Sequence, residues 1–315
     1  MNPTLASVVI CCYTERRWNE LSLSIDSVLS QSHAPKELIV VVDYNEVLEA
    51  RLSERHPGVR VVANRHKKGL SGARNTGIEE AAGDVIVFLD DDAWADSDWL
   101  GHILQAYDSP TVAGVGGAIA PIWPDSRPAF FPPEFDWVIG CSYEGMQTSG
   151  RVRNLIGANM SFRREVFETV GSFDTGVGRT ASKPLGGEDT ELCIRVLAEW
   201  PDSRFVIEDE ALVHHHVSPD RTMWSYFIRR CYAEGKSKAH VTALRGAADG
   251  LSSERRYTLK VVPAAFGRNL VRGISRADGA SLARAAALAI GLATTTAGFA
   301  AGQAGKALAA TKHES

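Results

Sequence analysis

The chain has 315 residues, a mass of 34.1 kDa and 44% hydrophobic residues, which is enough to bury a large core. Its net charge of -4 and its pI near 6.2 give no basic field, so we expect no nucleic-acid partner. The first residues lack the charged and apolar regions of a secretion signal, which predicts a cytoplasmic protein. Its five cysteines lack paired zinc spacing, and we expect reduced, mostly buried thiols.

Apolar runs alternate with segments of helical spacing along most of the chain. We predict strands at 7–12, 37–42, 59–63, 85–89, 111–120, 159–162 and 205–217. Helices are predicted at 18–32, 46–54, 71–82, 96–107, 163–170 and 188–200. Continuous apolar strands that alternate with helices are typical of an α/β fold with a mostly parallel sheet and helices on both faces.

Residues 121–150 interrupt this alternation with prolines and aromatic side chains. Such a segment forms neither a regular helix nor a central strand. It is an insertion that either closes over an acceptor or covers the core. We therefore expect one domain over 1–222, with this insertion on its acceptor side.

The last third, 223–315, is predicted to be a helical C-terminal region. A basic helix at 223–244 precedes a charge-free stretch at 285–305. That stretch has transmembrane length, but its Ala, Gly and Thr content is only weakly hydrophobic. A membrane span, an interfacial helix and a buried hairpin all remain open, and peripheral membrane contact is favoured.

The strongest chemical signal is a run of three carboxylates directly after the predicted strand 85–89. Asp90, Asp91 and Asp92 should lie at the carboxyl edge of a parallel strand, where open α/β sheets bind ligands. A divalent cation that also holds a phosphate relieves the repulsion among them. The alternative is a solvated acidic turn, but the buried strand before it favours a nucleotide-phosphate site.

Other polar residues are expected at the same edge of the sheet. Tyr13 and Glu15 follow the first predicted strand and Asp43 ends the second, which suits contacts with a base and a ribose. Arg74 lies near the start of a Gly-rich helix, where anions bind. Each of these residues alone would be an ordinary turn or helix-start residue.

Two further patterns could serve catalysis. Glu188 and Asp189 open a helix and either cap it or provide a general base, with Asp189 taking the proton of an acceptor hydroxyl and Glu188 orienting the acceptor or the loop. The histidines at 214–216 end a strand, so His215 and His216 point to opposite faces and only one face can address a metal. Imidazole binds Mn²⁺-type ions beside carboxylate and phosphate oxygens.

Together these segments resemble glycosyltransferase family 2, inverting enzymes that use nucleotide-sugar donors. The resemblance covers about residues 5–245 and rests on the segments 7–15, 43, 72–78, 90–92, 157–161 and 187–189. It implies a GT-A fold, with a Rossmann-like central sheet and a helical C-terminal extension. The Gln-x-x-Arg-Trp motif of processive synthases is absent, so a processive synthase is not expected.

The resemblance also implies roles for individual residues. Nucleotide contacts are implied for Tyr13, Glu15, Asp43, Arg74, Asp90, Asp91, Arg229 and Arg230. Asp92 is the expected metal ligand, assisted by Asp90 and by His215, with His216 as the second choice. Asp189 matches the catalytic base, and Asp91 is the aspartate expected to matter least.

The predicted activity is the transfer of a sugar from a UDP-sugar to an acceptor hydroxyl or phosphate, with inversion and with Mn²⁺ or Mg²⁺. A lipid-linked acceptor and a small glycoside are both left open, as is a homo-oligomer. The lipid alternative places the cytoplasmic enzyme at the inner face of the cell membrane. Competing readings are a GT-A-like nucleotidyltransferase and a non-catalytic nucleotide-sugar binding protein.

Overall fold

The computed structural model describes residues 5–148, 152–176, 186–245 and 256–313. The chain forms two compact units. The first unit combines 1–122, 147–183 and 188–216, and the second combines 123–146, 184–187 and 217–315.

The first unit is built on an eight-stranded sheet. Its strands are β1 (Ala6–Cys12), β2 (Glu37–Val42), β3 (Arg60–Ala63), β4 (Val85–Asp90), β5 (Ala93–Ala95), β6 (Val112–Ile122), β7 (Asn159–Arg163) and β8 (Arg204–His216). They lie in the order β3-β2-β1-β4-β7-β6-β8-β5. Strands β1 to β4 are mutually parallel, as are β6 and β8, whereas β7 and β5 run antiparallel to their neighbours. The predicted mostly parallel sheet is confirmed.

In the described part of this unit, six α-helices follow the predicted order. They are α1 (Trp18–Leu29), α2 (Glu46–Arg55), α3 (Leu70–Glu80), α4 (Trp99–Gln105), α5 (Arg164–Val170) and α6 (Glu188–Glu199). The boundaries differ most at α4, which begins three residues later than expected. The backbone amide of Asp96 instead donates to the carbonyl of Leu212 at 3.1 Å, which holds this residue beside β8.

The core explains why the strands are apolar without alternation. Val8, Val40 and Val87 are fully buried, because helices cover both faces of the sheet. The buried amide of Asn159 accepts from the Trp99 indole at 2.9 Å and donates to carbonyls on two other segments. All five cysteines are free, and all except the half-buried Cys11 are buried. Desolvation of its thiol by the surrounding protein raises the pKa of Cys11 to about 12.

Three long helices lie in the described residues of the second unit. These are α7 (Trp224–Arg245), α8 (Val262–Ser275) and α9 (Gly279–His313), with a π-helical turn at Tyr257–Val261 directly before α8. Helices α7 and α9 pack backbone against backbone. A Cβ added at Gly235 would lie 2.0 Å from the Thr295 carbonyl, and one at Gly298 would lie 2.1 Å from the Tyr232 carbonyl. Only glycine fits at these two positions.

The segment 123–146, rich in proline and aromatics, belongs to this second unit. Its Phe131 and Phe135 are buried and pack against Phe227 of α7, with ring centroids 5.4 Å apart in both pairs. Within its own unit, this segment therefore covers core.

Helix α9 carries the weakly hydrophobic stretch that the sequence singles out. Over Gly279–Gly305 it is long and apolar enough to cross a membrane, with a mean hydropathy of 1.4. Core helices of soluble proteins share this length and composition, and α9 packs on both α7 and α8. Of the apolar window on this helix, 28% is buried within the protein.

Candidate active site

Two of the three successive aspartates lie beside a histidine at the carboxyl edge of the sheet. Asp90, Asp92 and His215 offer ligand atoms that all lie within 4.8 Å of one another. Nε2 of His215 is 3.2 Å from Oδ1 of Asp92, and both side chains are buried. In the described part of the chain, Nδ1 of His215 is also buried and lacks a hydrogen-bond partner. Two carboxylates and an imidazole fit a Mn²⁺-type ion.

Backbone pairing brings the histidine to the aspartates. β5 directly follows the aspartate run and pairs with the end of β8, with Ala93 opposite His215. The backbone amide of His216 donates to the carbonyl of Asp92 at 2.8 Å. Because side chains alternate along β8, this register turns His215 toward the aspartates.

The neighbouring histidines have other partners. His216 lies 3.6 Å from the carboxylate of Glu20. His214 lies 2.8 Å from the carboxylate of Asp96 and stacks on Trp94. Of the two predicted candidates, His215 is the one that the structure brings to Asp90 and Asp92.

Asp91 pairs with a residue that the sequence reasoning missed. Nη1 of Arg17 donates to Oδ1 of Asp91 at 2.7 Å and lies 3.1 Å from Oδ2 of Asp92. Burial raises the pKa of Asp91 to about 7, with Arg17 acting in the opposite direction and Asp92 and Asp90 adding to the rise. Asp91 is therefore part of a charged network. The signal that could have found Arg17 is its place shortly after β1, at the same edge as the aspartates.

Arg74 is a buried link between two acidic segments. Its guanidinium donates to Oε1 of Glu188 at 3.1 Å and to the carbonyl of Gly157 at 3.0 Å. Another contact, at 3.5 Å, reaches Oδ1 of Asp90. Burial opposes its charge, but Glu188 and Asp90 more than offset this, so the pKa of Arg74 is raised. Arg74 thereby ties the aspartate run to the start of α6.

Asp189 is held at the first turn of α6 by backbone donors. The amide of Gly157 donates to its Oδ2 at 3.2 Å, and the amide of Thr190 donates to its Oδ1 at 2.6 Å. Glu188 beside it is buried, and among the described residues its Oε2 has no hydrogen-bond partner. Gly157 thus meets both Arg74 and Asp189, a role that the sequence did not reveal.

The three residues predicted to contact the nucleoside follow β1 and β2. Tyr13 is exposed, and its carbonyl accepts from the side chain of Asn45 at 3.1 Å. The pKa of Glu15 is lowered by a backbone hydrogen bond and by Asn45. Asp43 is buried and accepts from the Asn64 amide at 2.6 Å and from the Gly69 backbone amide at 3.0 Å. Asp43 therefore also orders the turn that leads into α3.

The two remaining predicted residues lie on α7, in the second unit. Arg229 is exposed and its guanidinium lies 5.9 Å from the ring centre of Tyr226. Arg230 is buried and donates to Glu234 at 3.0 Å.

Two solved structures share this architecture. A mannosyltransferase from Pyrobaculum calidifontis, in complex with GDP-Man and Mn²⁺, aligns with a TM-score of 0.59 and 21% identity over 94% of this chain and 87% of that one. GalNAc-T7, with UDP, GalNAc and Mn²⁺, aligns with a TM-score of 0.52 and 18% identity over 80% of this chain and 53% of that one. The fold is that of the GT-A glycosyltransferases, and its acidic edge carries a potential DxD-type metal site.

Sequence comparison defines the family. The profile described as Glycosyl transferase family 2 matches residues 7–171, and the chain belongs to this family. A glucosyl-dolichyl phosphate glucuronosyltransferase of Haloferax volcanii is 36% identical over 74% of this chain and 75% of its own length. The protein is thus a hexosyltransferase, as predicted.

Proposed function

We propose that this glycosyltransferase moves a hexose from a UDP-sugar to a lipid-linked acceptor, with inversion at the anomeric carbon and with Mn²⁺ or Mg²⁺. The observation that carries the proposal is the cluster of Asp90, Asp92 and His215, whose ligand atoms lie within 4.8 Å of one another. Two solved structures of similar fold hold Mn²⁺, one with GDP-Man and the other with UDP and GalNAc, which supports a nucleotide-sugar donor and a divalent cation as classes.

Asp90, Asp92 and His215 would hold the cation. A bound divalent ion would offset the negative charge that develops on the departing nucleoside diphosphate, and so would stabilise the leaving group. Arg17 and Arg74 add fixed positive charge on either side of the aspartates. Tyr13, Glu15 and Asp43 would contact the base and the ribose, and Arg229 and Arg230 the diphosphate.

Asp189 would act as the general base. A carboxylate that takes a proton from an acceptor hydroxyl must be fixed in direction, and the amides of Gly157 and Thr190 provide this. Glu188 would orient the acceptor, because its buried Oε2 lacks a partner among the described residues and can accept from a hydroxyl. General base catalysis of this kind contributes roughly 10²–10⁴-fold.

The lipid-linked acceptor is supported by the relative from H. volcanii, whose name specifies a glucosyl-dolichyl phosphate. A small glycoside is the competing acceptor. We place the glycosyltransferase domain over 1–222 and a helical region over 223–315, with peripheral membrane contact at the cytoplasmic face of the cell membrane.

The test is a panel of UDP-, GDP- and dTDP-sugars, offered to the full chain with and without Mn²⁺ and with dolichyl-phosphate-linked or soluble glycoside acceptors. We expect turnover of a UDP-sugar that needs the cation and the lipid-linked acceptor. Asp92→Asn and Asp189→Asn should each lower the rate by about 10²-fold or more. Asp108→Asn, an exposed carboxylate that pairs with Arg204, is the matched control and should change nothing.

Three outcomes would contradict parts of this proposal. Turnover of a GDP- or dTDP-sugar alone would refute the UDP assignment. Transfer to soluble glycosides but not to lipid-linked ones would refute the acceptor. An unchanged rate for Asp92→Asn, with nucleotide-sugar still consumed, would refute the metal site.

A further inference from the structure

Helix α8 of the second unit turns its large apolar side chains away from the protein. Val262, Ala265 and Gly273 form its buried face. Val271 and Ile274 are 67% and 71% exposed. The helix therefore packs through small residues and shows its bulky residues to the solvent.

This arrangement reverses the usual pattern of a surface helix. In a soluble protein, the apolar stripe of such a helix faces the core and its polar face is solvated. On α8, Phe266, Leu270 and Ile274 recur every fourth residue and form an exposed stripe, with Val271 beside it. Leu259, in the preceding turn, and Leu282, near Gly273, are exposed as well. A contiguous exposed apolar patch marks an interaction surface.

The same segment carries only positive charge. Residues 256–277 contain the five cations Arg256, Lys260, Arg268, Arg272 and Arg276 and no acidic residue. The arginines at 268, 272 and 276 recur every fourth residue on the side of the helix opposite the apolar stripe, with Val271 between the two rows. They border an open depression of about 580 Å³, together with Gly267, Val271 and Ser275.

The guanidinium groups of two of these arginines already form ion pairs with carboxylates. Arg268 lies 2.9 Å from both Glu134 and Glu144, and Arg272 lies 3.4 Å from Asp278. Both arginines are nevertheless more than half exposed, so an anion can reach them from the solvent. An ion pair exposed at both ends, such as that of Arg268 with Glu144, is worth at most about 1 kcal/mol, whereas Glu134 is buried at its end of the other pair.

We propose that α8 is an interfacial helix that lies in the plane of an anionic lipid bilayer. Val271, Ile274 and the apolar residues beside them enter the acyl boundary, and the arginines bind lipid phosphates. This rests on the membrane contact proposed above and assigns it to one surface. Helices of this composition, apolar on one face and rich in Arg on the other, bind membranes in this orientation.

Two other occupants fit the surface less well. A second copy of the segment 256–277 would bring its five cations against five like cations in a symmetric interface, which opposes association. A bilayer span is excluded for α8 by length, because its 14 residues extend roughly 21 Å, against a hydrocarbon core of about 30 Å.

The experiment is co-sedimentation of the full chain with phosphatidylcholine vesicles, with and without phosphatidylglycerol. We expect binding that needs phosphatidylglycerol and weakens with added salt. Val271→Ser with Ile274→Ser should weaken binding on the order of 10-fold per residue. Arg272→Gln with Arg276→Gln should weaken it about fivefold per residue.

Val47→Ser is the matched control, since Val47 is 69% exposed on α2 of the first unit. It should bind vesicles as the unaltered chain does, and circular dichroism melting should show that all variants fold. Equal binding to both vesicle types, or undiminished binding of the double serine variant, would overturn the proposal. So would light scattering that shows a dimer which the serine substitutions dissociate.

Measuring vesicle binding and sugar transfer separately distinguishes a failure of the interfacial helix from a failure of the proposed function. Asp92→Asn should abolish sugar transfer and leave vesicle binding intact. If vesicles bind through α8 while no UDP-sugar is consumed, the surface stands and the donor assignment fails. If UDP-sugar is consumed but the vesicles do not bind, only the interfacial helix is refuted.

Discussion

The arginines of α3 and α8 occupy opposite environments. Arg74 is 2% exposed and is surrounded by Glu188, Asp90 and a carbonyl. Arg268 and Arg272 are 57% and 59% exposed and lie on the same helix as solvent-exposed apolar side chains. A buried guanidinium of this kind fixes other residues of its own unit, whereas an exposed one remains available to an external anion. The two kinds of arginine therefore differ in burial and in partners and not in residue type. The charge of the buried arginine is already neutralised by carboxylates of its own unit, whereas the exposed arginines can bind an anion from the solvent.

The sharpest test of this contrast is Arg74→Ala. Its loss leaves the buried Glu188 and the half-buried Asp90 without their counter-ion, and we expect a cost of about 3–5 kcal/mol in the free energy of unfolding. Urea denaturation measures it. Arg268→Ala should cost less, on the order of 1 kcal/mol, because its guanidinium is 57% exposed and screened by water, although the Glu134 carboxylate that it meets is buried. Equal losses for the two variants would remove the distinction between these arginines.

A second test compares how tightly the helices of the second unit pack, at Gly298 between α7 and α9 and at Gly267 on the exposed α8. Gly298→Ala would place a Cβ 2.1 Å from the Tyr232 carbonyl, and the helix pair α7 and α9 must then separate. We expect a destabilisation of about 1–3 kcal/mol in thermal unfolding. Gly267→Ala on α8 meets nothing within 4 Å and should instead stabilise by roughly 0.5–1 kcal/mol. A neutral Gly298→Ala would mean that the second unit is loosely packed throughout.

A third test concerns the pairing of Arg17 with Asp91 in the first unit. Arg17→Gln leaves the buried Asp91 charge poorly compensated, which should cost about 1–3 kcal/mol. Asp91→Asn alone removes a charge from a crowded acidic run, so the double variant should recover part of that loss. A double-mutant cycle from denaturation curves gives the coupling between the two side chains. Strict additivity would show that the pair is not coupled.

The smallest effect is a pH dependence in the second unit. Burial raises the pKa of Glu134, with Glu144 adding to the rise. A carboxyl whose folded pKa exceeds its unfolded value favours the folded state at low pH, and this stability is lost as the pH rises through the folded pKa. Glu134→Gln should therefore flatten the decline in unfolding free energy between mildly acidic and neutral pH.

Asp278 serves as a control, because its pKa is shifted in the opposite direction to that of Glu134. A hydrogen bond from Ser281 lowers the pKa of its exposed carboxyl, so its contribution is present at neutral pH and is lost as the pH falls through the lowered value. Asp278→Asn should flatten the acid side of the profile. Identical profiles for the two variants would contradict the assigned causes.

The central strands and the acidic edge could be predicted because their signals are local. Continuous apolar runs mark β1, β2 and β4, and the parallel arrangement places whatever follows them at one edge. The three residues of β5 and the reversal of β7 left no such signal, since both depend on pairing with distant strands. The partnership of Arg17 with Asp91 joins residues 74 positions apart and is equally invisible locally.

The outward face of α8 was beyond sequence reasoning for a different reason. The basic residues of this segment were evident, but the exposed face depends on which side packs against α9. Gly273 and Ala265 look like ordinary helix residues in the sequence, and only the packing with α9 shows that they form the buried side. Exposure is a tertiary property, and so is the surface inferred from it.

The ends of the eight-stranded sheet bear on how the protein behaves when it is concentrated. A sheet whose outer strands are long and flat offers unpaired amides and carbonyls to other molecules and so invites aggregation. Here the outer strands are β3 and β5, of four and three residues. The guanidinium of Arg60 on β3 also engages Glu80. Short outer strands, of which β3 also carries a charge, discourage intermolecular strand addition. The shorter of the two, β5, is the strand that holds His215 in register with the aspartates.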